Sequence, residues 1–230
     1  MKYMLDTVLY IDDIELIKYE YLQPLIKIFS PSVKERINFY YQKQDKKLST
    51  LGYLLLHYMV YSQYKKSEKI IIETGVNGRP VLKNYPNIDV NISHCKNCVA
   101  CCISLDSIGI DVQDFDAFEA QCIDIACHKN ELHILQNISN KEEVKRLFIK
   151  YWTLKESTVK RSGEGISDLI TDLNFSFVDK AGNEFVSNDL KYSVSDHNDY
   201  FISGCSTRSF LQFKKISMLH LIKEIRRVLD

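Results

Sequence analysis

Val99-Ala100-Cys101-Cys102-Ile103-Ser104 and Ile108-Gly109-Ile110-Asp111-Val112-Gln113 stand on either side of the polar break Leu105-Asp106-Ser107. Both runs are short, apolar and of strand length. Two halves of the chain are expected to meet near Ser104 to Ile108. Upstream, Asp89 to Ser93 and Lys69 to Glu73 read as strands around a turn at Thr74-Gly75-Val76-Asn77-Gly78-Arg79-Pro80. Ahead of them, Ser30-Pro31-Ser32 starts a long helical pattern from Val33 to about Tyr64. Its first half is polar and basic (Lys34, Arg36, Lys43, Lys46, Lys47) and its second half apolar, so the first is expected exposed and the second buried. Residues Ile14 to Phe29 look helical with an interruption at Pro24, and alternating Met4, Asp6, Val8 and Tyr10 read as an opening strand.

Downstream, a short helical region spans about Phe118 to Gln136. Asn140-Lys141-Glu142-Glu143 then forms a helix N-terminus, in which Asn140 caps and Glu143 reciprocates. That helix runs to Arg161 and stops at Ser162-Gly163-Glu164-Gly165. Short strands follow between about Leu173 and Phe213, and an amphipathic helix spans Ile216 to Leu229. A polar-to-apolar helix followed by strands thus occurs in each half, which predicts two related α+β lobes, residues 1–105 and 106–230.

The 230 residues suit one large domain or two lobes of about 100 residues each. The 45% hydrophobic and 26% charged fractions are those of a soluble globular protein. No apolar run approaches the roughly 18 residues of a membrane span. Met1 to Asp13 carries Asp6, Asp12 and Asp13 and does not read as a signal peptide. Thirty basic and thirty acidic side chains cancel, which argues against a whole-molecule field for nucleic acid. Seven cysteines, an odd number without an export signal, point to a reduced cytoplasmic setting.

Four segments carry candidate chemistry. Gly78-Arg79-Pro80 presents a guanidinium rigidly, suited to a phosphate; the plain alternative is a hairpin turn with a solvated arginine. Asn91-Ile92-Ser93-His94 offers a hydroxyl and an imidazole at a strand end, where incidental polar residues are equally common. In the strand Ile108 to Gln113, a period of two puts Gly109, Asp111 and Gln113 on one face. An Asp in such a run is costly unless paired or bound to a cation, and its plain alternative is a turn cap. On the helix, Trp152, Glu156 and Lys160 are four apart and share a face, and the alternative there is an ion pair beside a core Trp. Asp111 and Glu156 together make a two-carboxylate clamp for one Mg²⁺, as such sites combine one or two carboxylates with substrate phosphates. Lys155, Lys160, Arg79 and His94 add positive or donor groups for an anionic substrate, the inventory of phosphoryl transfer.

In this order, Gly78-Arg79-Pro80, Asn91-Ile92-Ser93-His94, Gly109-Ile110-Asp111 and Trp152-Thr153-Leu154-Lys155-Glu156 closely resemble the signature of the phosphopantetheinyl transferases. The longer, surfactin-synthetase-activating type fits best. The resemblance runs from about Ser30 to Gly165, including Phe29-Ser30-Pro31, Asp45 and Gly52. It implies a monomeric pseudo-dimer of two α+β lobes, each a small, mostly antiparallel sheet packed on helices, with the active site between them. It further implies transfer of the phosphopantetheine arm of coenzyme A to a serine of an apo acyl or peptidyl carrier protein, with no nucleic acid or membrane partner. Asp111, Gln113 and Glu156 would ligate Mg²⁺, and Asp111, Glu156 and Lys160 would be catalytic. Gly78, Arg79, Pro80, Ser93, His94, Lys155 and Lys160 would bind the coenzyme, with Arg36 and Ser49 on its 3′-phosphate. The surface after Gly163-Glu164-Gly165 would contribute to carrier docking.

Two positions depart from the family pattern. Many relatives are acidic where Gln113 stands, and the basic residue expected before Ser49 is Leu48. Gln113 leaves open a catalytically weakened or inactive member that only grips carrier proteins or nucleotides. His94, Cys95, Cys98 and Cys101, with Cys102 beside them, have spacings compatible with a zinc or iron–sulfur site. Against that, alternate residues of the strand Val99 to Ser104 diverge, and free Cys is a common buried residue. A nucleic-acid binder using the basic first helix is the remaining alternative, disfavoured by the zero net charge.

Overall fold

The structure is a computed structural model describing residues 6–64, 70–163, 165 and 168–229. Val99–Ser104 (β5) is buried along its whole length because both of its faces meet a core. Val99, Cys101 and Ile103 point into one cluster, and Cys98, Ala100 and Cys102 into another. That alternation is the strand period, and it explains why the segment reads as a continuous apolar run rather than an amphipathic one. On one side β5 pairs with Thr7–Ile11 (β1) and on the other with Asp89–His94 (β4), both antiparallel.

The second sheet begins after the predicted break, with Ile108–Asp114 (β6). It is antiparallel throughout, in the order β6, Tyr200–Ser206 (β9), Leu190–Asp196 (β8), Glu184–Ser187 (β7). Ile72–Thr74 (β2) and Pro80–Leu82 (β3) form a small separate hairpin. Each large sheet carries one long helix, Lys43–Tyr64 (α2) on β4 and β5, and Lys141–Ser162 (α5) on β6 and β9. The chain is therefore α+β with two sheet-and-helix lobes. A third apolar cluster, containing Val8, Ile108, Ile110, Val112 and Ile202, lies between the two sheets. The first sheet is completed from far downstream: Gln212–Lys215 (β10) pairs parallel to β1, and Met218–Leu229 (α7) packs Met218, Leu221 and Ile225 into the first lobe's core.

Both long helices sit close to their sheets at a glycine. In α2, a methyl group at Gly52 would stand 2.7 Å from the Ile92 side chain. At Gly109 of β6 it would stand 1.8 Å from the Ser157 carbonyl oxygen and 2.6 Å from the Arg161 amide nitrogen. That neighbour is helix backbone and has no rotamer to yield. Gly109→Ala is expected to lower stability by about 3 kcal/mol, the upper end of overpacking, read as a shift in the urea midpoint.

Several boundaries differ from expectation. The helical pattern from Val33 to Tyr64 is two helices, Pro31–Phe39 (α1) and α2, with Tyr40 extended at the break. The break lets α1 turn onto β2, where the Ser30 and Ser32 hydroxyls donate to the Ile72 carbonyl at 2.7 and 2.5 Å. Residues Ile14 to Phe29 form three 3₁₀ segments rather than a helix. Phe118 to Gln136 holds two short helices, Cys122–Ala126 (α3) and Lys129–Gln136 (α4). Asn140 caps α5 as expected, accepting from the Glu142 and Glu143 amides, while the reciprocal capping box belongs to His128 and Glu131 of α4. The last expected helix begins two residues later than its pattern, at Met218, and a short helix, Val178–Ala181 (α6), precedes β7. Met4, Lys69 and Glu164 lie outside the described residues.

Candidate active site

β4 and β6 are edge strands of different sheets, and they face each other across the lobe seam. Edge strands carry a row of unpaired amides that must find partners. Alternate side chains of β4 supply them. Asp89 Oδ2 accepts from the Ile108 amide at 2.8 Å, Asn91 Oδ1 from the Ile110 amide at 3.3 Å, and Ser93 Oγ from the Val112 amide at 3.2 Å. The period of two along β4 thus fixes the register of the two lobes.

This ladder delivers Asp111 to the seam with Ser93 beside it. Ser93 Oγ donates to Asp111 Oδ1 at 2.9 Å, and Lys160 Nζ lies 2.5 Å from the same oxygen and 2.9 Å from Ser93 Oγ. Gln113 donates its amide to the other Asp111 oxygen at 3.2 Å, so the two share one face as the strand period required. Asp111 is only 1% exposed, and its charge is answered by the Lys160 ammonium.

Glu156 stands one turn before Lys160 on α5. Burial, with the Asp111 charge adding to it and Lys160 opposing it, raises its carboxyl to about 7. Its Oε1 is buried and has no hydrogen-bond partner among the described residues. A buried carboxyl oxygen of this kind beside a second carboxylate suits a small hard cation, and the amide of Gln113 supplies a neutral oxygen. Two carboxylates and an amide fit Mg²⁺ completed by a ligand's phosphates better than a closed protein cage. Among the described residues, no group of three or more His, Cys, Asp and Glu could hold a metal ion by itself.

In metal-free protein the elevated Glu156 has a definite stability signature. Between the ordinary carboxyl value near 4.5 and the folded value of about 7, the folded state binds more protons than the unfolded state. Its contribution to stability is therefore present below that window and lost as pH rises through it. Urea titrations in chelator at several pH values are expected to show this decline, and Glu156→Gln is expected to remove it.

A cleft of about 390 Å³ opens above these carboxyls, between the lobes. Arg36, Ser49 and His94 line it from the first lobe, with Gly78, Arg79 and Pro80 of the turn; Glu156 and Lys160 line it from the second. Ser93 is buried beneath it, hydrogen-bonded to Asp111. Arg36 donates to the Gly78 carbonyl at 2.6 Å. Burial and the Lys160 charge lower the His94 imidazole from its ordinary value, which favours its neutral form. Tyr40, Tyr53, Asn77 and Asn91 also line the cleft, and sequence reading did not single them out for this role. The aromatic pair Phe39-Tyr40 at the end of α1 was the available signal.

The structure corrects Lys155. It lies on another face of α5, buried in the second lobe, 2.9 Å from Glu131 Oε2 and donating to the Ala126 and Ile170 carbonyls. Adjacent helix residues point about 100° apart, so Glu156 at the cleft sends Lys155 inward. Arg79 borders the cleft, but its guanidinium is turned into the seam. Trp152 is partly buried against the second lobe's core.

The cysteine arrangement does not form a metal site. Cys101 faces away from Cys98 and Cys102 across β5, and burial pushes all three thiols up. Cys95 donates its thiol to Asp114 at 3.1 Å.

The fold and site thus define a class: two α+β lobes with two carboxyls, Asp111 and Glu156, and the cations Arg36 and Lys160 gathered at the cleft between them. The family comparisons agree with that class. A model described as the 4′-phosphopantetheinyl transferase superfamily matches residues 107–217, and one described as 4′-phosphopantetheinyl transferase, N-terminal, matches residues 18–104. The chain belongs to the 4′-phosphopantetheinyl transferase superfamily. It is 27% identical over 150 residues to the 4′-phosphopantetheinyl transferase psf-1 of Bacillus pumilus, covering 64% of this chain and 62% of that protein. It is 28% identical over 143 residues to Sfp of Bacillus subtilis (strain 168), covering 62% and 63%. A third relative, gsp of Aneurinibacillus migulanus, is 26% identical over 187 residues, covering 80% of this chain and 76% of that protein. The chain thus spans less than two thirds of the length of the first two relatives.

Proposed function

We propose that the chain transfers the 4′-phosphopantetheine arm of coenzyme A to a serine hydroxyl of an apo acyl or peptidyl carrier protein, releasing 3′,5′-ADP, with Mg²⁺ as cofactor. The observation that carries this reading is the buried Glu156 Oε1, without a hydrogen-bond partner among the described residues, beside Asp111 at the floor of a cation-lined cleft. Membership of the superfamily and the names of the relatives support it.

Asp111, Glu156 and Gln113 are the residues that would hold Mg²⁺. Bound there, the ion would supply positive charge to neutralise the pyrophosphate and polarise the phosphoryl oxygens. Arg36, Ser49 and His94 bind the nucleotide end of the coenzyme, and the backbone of the Gly78–Pro80 turn shapes one wall. Lys160, already at the seam, donates to the bridging oxygen that leaves on the 5′-phosphate of 3′,5′-ADP and stabilises its developing charge. Glu156, at the cleft on α5, takes the proton of the carrier serine. The serine oxygen then bonds to the β-phosphorus as the bond from that phosphorus to the bridging oxygen breaks. Positioning and charge stabilisation account for most catalysis in such transfers.

Among the described residues, no helix is long and apolar enough to cross a membrane. With the cysteines free, the proposal places the enzyme in the cytoplasm. Both halves of the site lie in one chain, which makes it a monomer in this reading.

The deciding experiment incubates the protein with coenzyme A, Mg²⁺ and several apo carrier proteins and weighs the products. At least one carrier is expected to gain the mass of phosphopantetheine. No gain on any carrier that an active transferase modifies in parallel overturns the proposal.

A further inference from the structure

Arg79 stands at the edge of the cleft, yet every N–H of its guanidinium is taken. Nε donates to the Val90 carbonyl of β4 at 3.2 Å. One terminal nitrogen donates to the Lys160 and Arg161 carbonyls at 2.5 and 3.3 Å. The other donates to the Ile108 carbonyl at 2.8 Å and to the Asp89 carboxylate. An arginine has five N–H groups, and these partners account for all of them.

The partners lie on both lobes. Val90 and Asp89 belong to β4, Ile108 to β6, and Lys160 and Arg161 to the final turn of α5. The last carbonyls of a helix have no partner within it and carry the negative end of its dipole, so a cation is favoured there. Here that cap comes from the opposite lobe. Asn77, in the same turn as Arg79, completes it by donating to the Gly163 carbonyl at 2.8 Å. Asp89 holds Arg79 in place and also accepts from the Ile108 amide, so one carboxylate joins the cap to the strand ladder.

We propose that Arg79 is a positioning residue. Held by Asp89, it caps the last turn of α5 across the seam and sets where Lys160, and one turn earlier Glu156, stand against Asp111. The role replaces the phosphate contact expected of Arg79, and its kinetic consequence rests on the transferase reading of the cleft.

The two roles predict opposite effects at Asp89. A phosphate-binding Arg79 would be freed by Asp89→Asn, and loss of a negative charge would tighten coenzyme A. A positioning Arg79 would instead lose its hold on α5. The test compares the full chain with Asp89→Asn and Arg79→Lys. The first reading is backbone hydrogen exchange at residues 108–112 and 157–163. The second is kcat and KM for coenzyme A. Both variants are expected to speed exchange in those two stretches at least about tenfold, with the core of β8 and β9 unchanged. They are expected to lower kcat by about 10- to 100-fold, because small misplacements of reacting groups are costly. KM for coenzyme A is expected to stay within about threefold.

Exchange unchanged in both stretches would overturn the proposal. So would a raised KM with kcat kept in Arg79→Lys, or a lowered KM in Asp89→Asn. The exchange reading stands without any activity: if the unmodified chain transfers nothing, the transferase reading fails while the cap is still decided. Should Arg79→Lys fold poorly, Asp89→Asn alone decides it.

Discussion

Glu156→Gln is expected to reduce phosphopantetheine transfer by about 10³-fold while leaving the fold as stable as before or more so. The amide is nearly isosteric, so packing on α5 is retained. What is lost is a charge and a proton acceptor at a buried carboxyl oxygen that has no hydrogen-bond partner among the described residues. Burial already opposes the charged form, so removing the charge relieves a destabilising term. Asp111→Asn is expected to cost activity to a similar degree, with a different stability sign. It leaves the Lys160 ammonium without its carboxylate and weakens a hydrogen-bonded group that includes Ser93. Carrier mass shifts give the rates, and urea midpoints give the stabilities. Transfer within tenfold of the unmodified protein in either variant would remove that carboxyl from the chemistry.

Lys155→Met is expected to lower stability by about 3–5 kcal/mol, because it strands a buried charge. Glu131 is fully buried, and besides Lys155 its oxygens accept from the His128 amide at 2.8 Å and the Phe175 amide at 2.7 Å. Those bonds stabilise the carboxylate without neutralising it. The double variant Lys155→Met, Glu131→Gln is expected to recover much of the loss, since the amide can still accept from both backbone groups. Urea unfolding measures the cycle. At concentrations where the single variant stays folded, its KM for coenzyme A is expected to be unchanged. A raised KM with intact stability would return Lys155 to the diphosphate.

The contrast between Lys155 and Glu156 shows where sequence reading succeeds and where it stops. The four-residue spacing of Trp152, Glu156 and Lys160 is a property of the helix itself, and it carried Glu156 and Lys160 to the cleft. The same spacing already implied that Lys155 points elsewhere, although its charge alone suggested a place beside an anionic substrate. Strand runs such as Val99 to Ser104 were legible because their composition and length are local properties. The split between α1 and α2 was not, because Tyr40-Tyr41-Gln42 contains neither glycine nor proline, and the start of α1 is held by the distant Ile72 carbonyl. The Arg79 contacts gather residues from 79 to 161, and no spacing along the chain shows that they converge.

The parallel pairing of β10 with β1 also bears on the order in which the molecule can be made. A ribosome releases residues 7–104 long before residues 212–229, so the nascent first lobe must wait with one edge of β1 open and the seat of α7 uncovered. The second sheet, whose strands all lie between residues 108 and 206, can close while that wait continues. Synthesis therefore favours the second sheet closing before β1 gains its parallel partner β10.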